Sequence, residues 1–157
     1  MIGTKTADVE AYWQRVRAAK GIAATEYHAS TFSDPAYSMK LDEITELCRR
    51  GKKLGTAHMA LDFERNGVPR RKPGDHWVIL DRNNKPVAVV RMTKVEVKPF
   101  NEVGEAFARS EGEGDLSLAY WREAHGRFFR RQLTAWGKGW RDDLPVVCES
   151  FEIVHTA

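Results

Sequence analysis

Hydrophobic and polar positions change period several times along this chain, and each change marks an element. In ADVEAYWQRVRAAKG, Val9, Tyr12, Trp13, Val16 and Ala19 recur at helical spacing, with charges on the other face. The pattern predicts an amphipathic helix over about residues 6–20, closed by Gly21. A polar, aromatic loop follows. MKLDEITELCRRGKK then gives a second helix, with Leu41, Ile44, Leu47 and Cys48 on one stripe. Arg49 and Arg50 fall in its last turn, where the helix dipole favours cations, and Gly51 ends it. From His58 to Glu64 the period drops to two, because Met59, Leu61 and Phe63 alternate with polar or small residues, and this predicts a half-buried strand. Asn66-Gly67 reads as a turn and RRKPGD as a loop. HWVILD and PVAVVRMTKVEV read as strands joined by a hairpin at RNNK, and PVVCESFEIV as a last strand. Before it lies a long helical pattern, with Leu118, Trp121, His125, Phe128 and Gln132 on one stripe and Phe129 and Leu133 beside it.

Hairpin-linked strands with helices on both sides imply an α+β fold: a small, mostly antiparallel β-barrel flanked by helices. The 157 residues suit a single domain, with 42% hydrophobic and 30% charged residues. No apolar run reaches the length of a membrane span, and the N-terminal residues lack the basic-then-apolar order of a secretory signal, so no membrane contact is expected. Cys48 and Cys148 stand far apart without ligand partners, which fits buried thiols in a cytoplasmic protein. The five histidines show no ligand spacing, so no zinc site is expected. No glycine-rich phosphate loop follows any strand.

Net charge is +3, and its distribution says more than its size. Basic residues gather as Arg49, Arg50, Lys52 and Lys53, as Arg70, Arg71 and Lys72, and as Arg127, Arg130 and Arg131. Tyr27, Phe32, Tyr37 and Tyr120 supply aromatics. Cations beside aromatics suit single-stranded RNA, whose phosphates take the charge and whose bases stack. The ordinary reading of each cluster alone is a solvated helix end or loop.

Two stretches carry candidate chemistry. In RGKKLGTAHM, Gly51 and Gly55 bracket Lys53, with Thr56 three residues on. A desolvated lysine acts as a base or binds an anion, and an activated threonine acts as a nucleophile. In SEGEGDLSLAYWREAH, Glu111, Glu113 and Asp115 precede the long helix. Asp115 is the expected helix cap, with Ser117 as its rival. The spacing is not that of a calcium loop, although paired acids of this kind can hold Mg²⁺ or another divalent cation. His125 is expected to be a packed, hydrogen-bonded histidine.

Together, GKKLGT after a helix, KPGDHWVILDRNNKPVAVVRMTKVEVKPFNEV, FARSEGEGDLSLAYWREAHGRFF and LPVVCESFEIV resemble the ASCH domain family over roughly residues 25–155. The resemblance implies a PUA-like barrel and RNA binding in a cleft that carries a G-x-K-x-x-T motif. It also implies either ribonuclease activity or, as in smaller members, deacylation of an N-acylated cytidine by a lysine, a threonine and a glutamate. Lys53 and Thr56 match the motif. Glu111 matches the glutamate, in A-x-x-E before the long helix, with Glu113 the alternative. The residues after Thr56 depart from the smaller enzymes, which have an arginine there, and the N-terminal helix is extra. The expected function is therefore an RNA-binding protein that cleaves RNA. Lys53 would stabilise phosphoryl charge, Glu111 act as the base, and Tyr120 or His125 supply a proton. The alternatives are an amidohydrolase with Thr56 as nucleophile and a non-catalytic RNA-binding module.

Overall fold

The computed structural model describes residues 1–157. Helix α1 (Ala7–Lys20) begins at Thr6, whose side chain accepts from the Val9 amide, and stops at Gly21 in the left-handed conformation. Strand β1 (His28–Ser30) and helix α2 (Leu41–Arg49) follow. Next come strand β2 (Gly55–Met59) and helix α3 (Ala60–Asn66), then strands β3 (His76–Leu80) and β4 (Pro86–Pro99). A short 3-10 turn (Phe100–Glu102) leads into helices α4 (Glu105–Ser110) and α5 (Leu118–Ala135), and strand β5 (Pro145–Thr156) ends the fold. No helix is long and apolar enough to cross a membrane.

The strands form one sheet in the order β1-β3-β4-β5-β2, parallel between β1 and β3 and antiparallel elsewhere. Register shifts in β4, between Val89 and Val90 and between Met92 and Lys94, bend the long β4–β5 ladder. The sheet curls into a half-barrel. Its edge strands β1 and β2 are not paired with each other. A side chain spans that gap: His58 on β2 bonds through Nε2 to the Phe32 carbonyl just past β1.

Alternation along the strands sorts the core. Trp77 and Ile79 of β3 face Phe32, Leu41, Ile44 and Cys48, so α2 covers one side. Val78 and Leu80 face Val9, Trp13 and Val16 of α1 on the other. Val146 and Cys148 of β5 pack with Trp121, Phe129 and Leu133 of α5.

Three local expectations need correction. The period-two run after His58 is not one strand, because the chain turns helical at Ala60 and ends α3 at Gly67 in the left-handed conformation. Ala60 and Phe63 lie three apart and are both buried, so this short run satisfies both periods. The cap of α5 is Ser117, which accepts from the Tyr120 amide, while Asp115 accepts from the Ser117 amide one step earlier. Strand β1 lies inside the segment expected to be loop, and its three residues are too few to show a period.

Candidate functional site

Two loops meet backbone to backbone to build the site. After α2, the amides of Lys52 and Lys53 both donate to the Leu47 carbonyl, which closes the helix and turns Lys53 inward. After α4, the Ser110 carbonyl accepts from the Leu54 amide and locks the second loop onto the first. Gly112 has φ 71°, and a Cβ there would lie 2.2 Å from the Lys52 carbonyl oxygen. Any side chain at 112 would force the loops apart, so this glycine sets the approach of Glu111 to Lys53.

Lys53 Nζ donates to Glu111 Oε1 at 2.9 Å and lies 3.8 Å from Glu113 Oε2. The other Glu111 oxygen accepts from Trp121 Nε1 and meets His125 Nε2 at 3.0 Å. His125 stacks on Trp121, with ring centroids 4.3 Å apart, and its Nδ1 bonds the Trp121 carbonyl at 3.0 Å. A carbonyl only accepts, so Nδ1 carries a proton. Nε2 faces a carboxylate, so it carries one as well. The arrangement is that of an imidazolium.

The charge states follow. Burial works against the Lys53 ammonium, but Glu111 and Glu113 outweigh it and hold its pKa above the ordinary lysine value. Burial also opposes the charge of Glu111, yet His125 and Lys53 hold its carboxyl well below the usual range. Burial disfavours the charged His125 too, and Glu111 reverses this and raises it. Glu113 is pushed up, first by burial, with Lys53 pulling against it and Glu111 adding to the rise.

These groups line one cavity of about 360 Å³ together with Thr56, Tyr120, Phe32 and Phe128. Thr56 is the second residue of β2 and is nearly buried. Tyr120 Oη accepts from Lys40 Nζ at 2.8 Å. Lys40, Arg127 and Arg131 stand at the mouth and are exposed. Arg127 pairs with Glu123 at 2.6 Å.

The structure brings Lys53, Thr56 and Glu111 of the motif into one cavity, and Tyr120, Arg127 and Arg131 of the other expected site residues line it too. The other basic residues lie elsewhere. Arg49 and Arg50 are exposed on α2 and its end, both bound to Glu46. Lys52 is exposed beside the site but does not line the cavity. Arg130 lies over the Trp140 ring at 4.0 Å. Arg70 is exposed near Glu64, and Lys72 lines a separate groove with Met1 and His28. Arg71 corrects the expectation of an RNA contact: it is 2% exposed, bonds both oxygens of buried Glu149 at 2.7 and 2.8 Å, and lies 3.8 Å from the Trp77 ring centroid. Its Nε and Nη2 are taken by Glu149, and the residue otherwise borders only the groove that Lys72 lines.

Sequence reasoning gave no site role to Lys40, and it read His125 first as a packed histidine and, in the nuclease reading, as an alternative to Tyr120 for supplying a proton. The signal for His125 was its spacing of four from Trp121, which puts both on one helix face toward Glu111. Lys40 left no local signal, because its partner Tyr120 is 80 residues away.

Glu111, Glu113 and His125 present atoms within 4.8 Å of one another. Their charges already answer to cations within the protein: Lys53 lies by both carboxylates, and His125 is itself protonated. A divalent ion would have to displace the ammonium and deprotonate the imidazolium, so the donor set fits Lys53 rather than a metal.

Comparison with known proteins supports the fold. The chain is similar to an ASCH domain crystal structure from Lactobacillus crispatus JV V101, at 31% identity and TM-score 0.78, covering 94% of this chain and 91% of that one. It is also similar to a crystal structure of an Enterococcus faecalis V583 protein assigned to a domain family of unknown function, at 31% identity and TM-score 0.80, covering 93% and 87%. No curated protein matches the chain. The half-barrel is thus of the PUA-like kind seen in ASCH domain structures. The ASCH domain model itself matches residues 28–155, and the chain belongs to the ASCH domain family.

Proposed function

We propose that the protein binds single-stranded RNA at the mouth of this cavity and cleaves it inside. ASCH domains are generally regarded as RNA-binding, and the cleavage is the finer reading. One observation carries it: a buried lysine is held charged in a cavity whose entrance carries Lys40, Arg127 and Arg131. The entrance cations meet phosphates on either side of the nucleotide that enters. Inside, RNA brings its own nucleophile. O2′ attacks the neighbouring phosphorus while a cavity glutamate takes its proton, and the bond from phosphorus to O5′ breaks. Tyr120 gives its phenolic proton to O5′, and Lys40 beside it steadies the phenolate. Lys53 stabilises the charge on the phosphorane oxygens. The products are a 2′,3′-cyclic phosphate and a free 5′-hydroxyl, and proton exchange with water restores both side chains.

Thr56 lines the same cavity, which keeps amide hydrolysis as a second reading. That reaction needs Lys53 neutral to activate the threonine, and Glu111 and Glu113 oppose this.

The test is cleavage of end-labelled single-stranded RNA by wild type and Lys53→Met, with and without EDTA. Wild type is expected to cut in both buffers, and Lys53→Met to be slower by about 100- to 1,000-fold. RNA bound but cut no faster than by Lys53→Met leaves a binding module. Deacylation of an N-acylated cytidine that is lost in Thr56→Ala favours the amidohydrolase.

A further inference from the structure

Glu111 and Glu113 lie two residues apart and both approach Lys53, yet they are placed for different work. Glu111 is 1% exposed, and its two oxygens already accept from Lys53 and Trp121 and lie against His125 Nε2. Those are most of the roughly four lone-pair positions of a carboxylate. A proton arriving at Glu111 would break the contacts that keep Lys53 and His125 in place. Glu113 has a side chain 17% exposed and borders the cavity, and its carboxylate has no hydrogen-bond partner. Its nearest cation, Lys53 Nζ, is 3.8 Å away, beyond hydrogen-bond reach. The third glutamate at the cavity, Glu123, is 71% exposed and held by Arg127.

We infer that Glu113 is the catalytic carboxylate that meets the ligand and exchanges the proton of the reaction, and that Glu111 is a positioning residue for Lys53 and His125. This rests on the cleavage reading and deepens it. The proton from the 2′-hydroxyl goes to Glu113 as the bond from O2′ to phosphorus forms. The leaving O5′ takes its proton from Tyr120. Glu113 afterwards releases its proton to water, and Tyr120 regains one. The surroundings suit the task. Burial and the Glu111 charge raise the affinity of Glu113 for a proton, while Lys53, His125 and Lys40 limit the rise.

The test compares Glu113→Gln with Glu111→Gln, and Glu113→Ala with Glu111→Ala in added formate. For Glu113→Gln, kcat on single-stranded RNA is expected to fall by about 100-fold or more with KM little changed. Formate is expected to restore cleavage to Glu113→Ala and not to Glu111→Ala. A Glu113→Gln enzyme with kcat within about tenfold of wild type overturns the assignment, as does rescue confined to Glu111→Ala. A second measurement does not need turnover. Carbodiimide coupling of glycinamide, mapped by mass spectrometry, is expected to label Glu113 well before Glu111, with RNA protecting Glu113. Equal labelling, or no protection by bound RNA, overturns the inference. Protection in a wild type that does not cut RNA sinks the cleavage reading and supports Glu113 as the carboxylate facing the ligand.

Discussion

Lys53 and Arg71 are both basic, both almost fully buried, and each is bonded to a buried glutamate with a histidine close by. The two clusters are also neighbours in the fold: Thr56, just beyond Lys53, is opposite Glu149, the partner of Arg71, in the β2–β5 ladder. They differ in how completely the charges are used. Arg71 meets both oxygens of Glu149 and covers Trp77, and its groups border neither the cavity nor its mouth. The Lys53 ammonium makes one hydrogen bond, to Glu111, and keeps donors to spare at a cavity wall. The planar guanidinium suits a closed two-point pair, while the ammonium is a point charge that can still attract another anion. A buried ion pair is thus structural or functional according to the donors left over and what they face.

The largest effect that tests this contrast is on stability. Arg71→Met removes both bonds to Glu149 and leaves an unpaired carboxylate inside the half-barrel. It is expected to cost about 3–5 kcal/mol in urea unfolding. Replacing both partners, as Arg71→Met with Glu149→Leu, should recover most of that loss, because no orphan charge remains. The matching double replacement of Lys53 and Glu111 should leave RNA cleavage lost whatever it does to stability. If Arg71→Met unfolds like wild type but abolishes RNA binding, the two clusters have been assigned the wrong way round.

How much of this was readable beforehand depends on distance along the chain. The amphipathic helices and the hairpin strands show in local periodicity, and α1, α2, α5, β3, β4 and β5 formed where it indicates. Lys53, Thr56 and Glu111 came from a family pattern, which stands in for the missing knowledge of which distant residues meet. The role of Arg71 was hidden because its partner lies 78 residues further on. Counting charges in Arg70, Arg71 and Lys72 treats neighbours in sequence as neighbours in function, whereas only Arg71 turns inward. For α3 the difficulty was ambiguity, since a run of a few residues fits both periods. The unequal placement of Glu111 and Glu113 depends on the left-handed Gly112 between them, and composition does not reveal it.

The clusters also differ in how stability responds to pH, a smaller effect. Burial opposes the charge of Glu149, but Arg71 overcomes it and holds the carboxyl at about 2. A folded value below the unfolded one gives stability that is present above the unfolded carboxylate range and lost as pH falls toward 2. The loss is on the order of 3 kcal/mol. His125 has the opposite sign: its folded value lies above the ordinary 6.5, so its contribution is complete below that pH and is lost as pH rises through the folded value. Urea midpoints between acid and mildly alkaline pH should show Glu149→Gln flattening the acid limb and His125→Gln the alkaline one. An alkaline limb unchanged in His125→Gln would mean the imidazolium is not present at neutral pH.

The smallest effect concerns the surface and separates basic residues by place rather than number. Each phosphate contact contributes about one unit to the slope of log affinity against log salt concentration. Arg131 lines the cavity mouth with an exposed side chain, so Arg131→Ala should lower that slope by about one and weaken binding similarly for all RNA sequences. Arg49 is bound to Glu46 on α2, and Lys72 lines the separate groove by Met1 and His28. Alanine at either should leave the slope unchanged. Fluorescence titrations of a short labelled RNA over a range of salt concentrations measure all three. Equal reductions at Arg49, Lys72 and Arg131 would mean that RNA responds to the overall positive charge, and the cavity mouth would then have no special claim as the entrance.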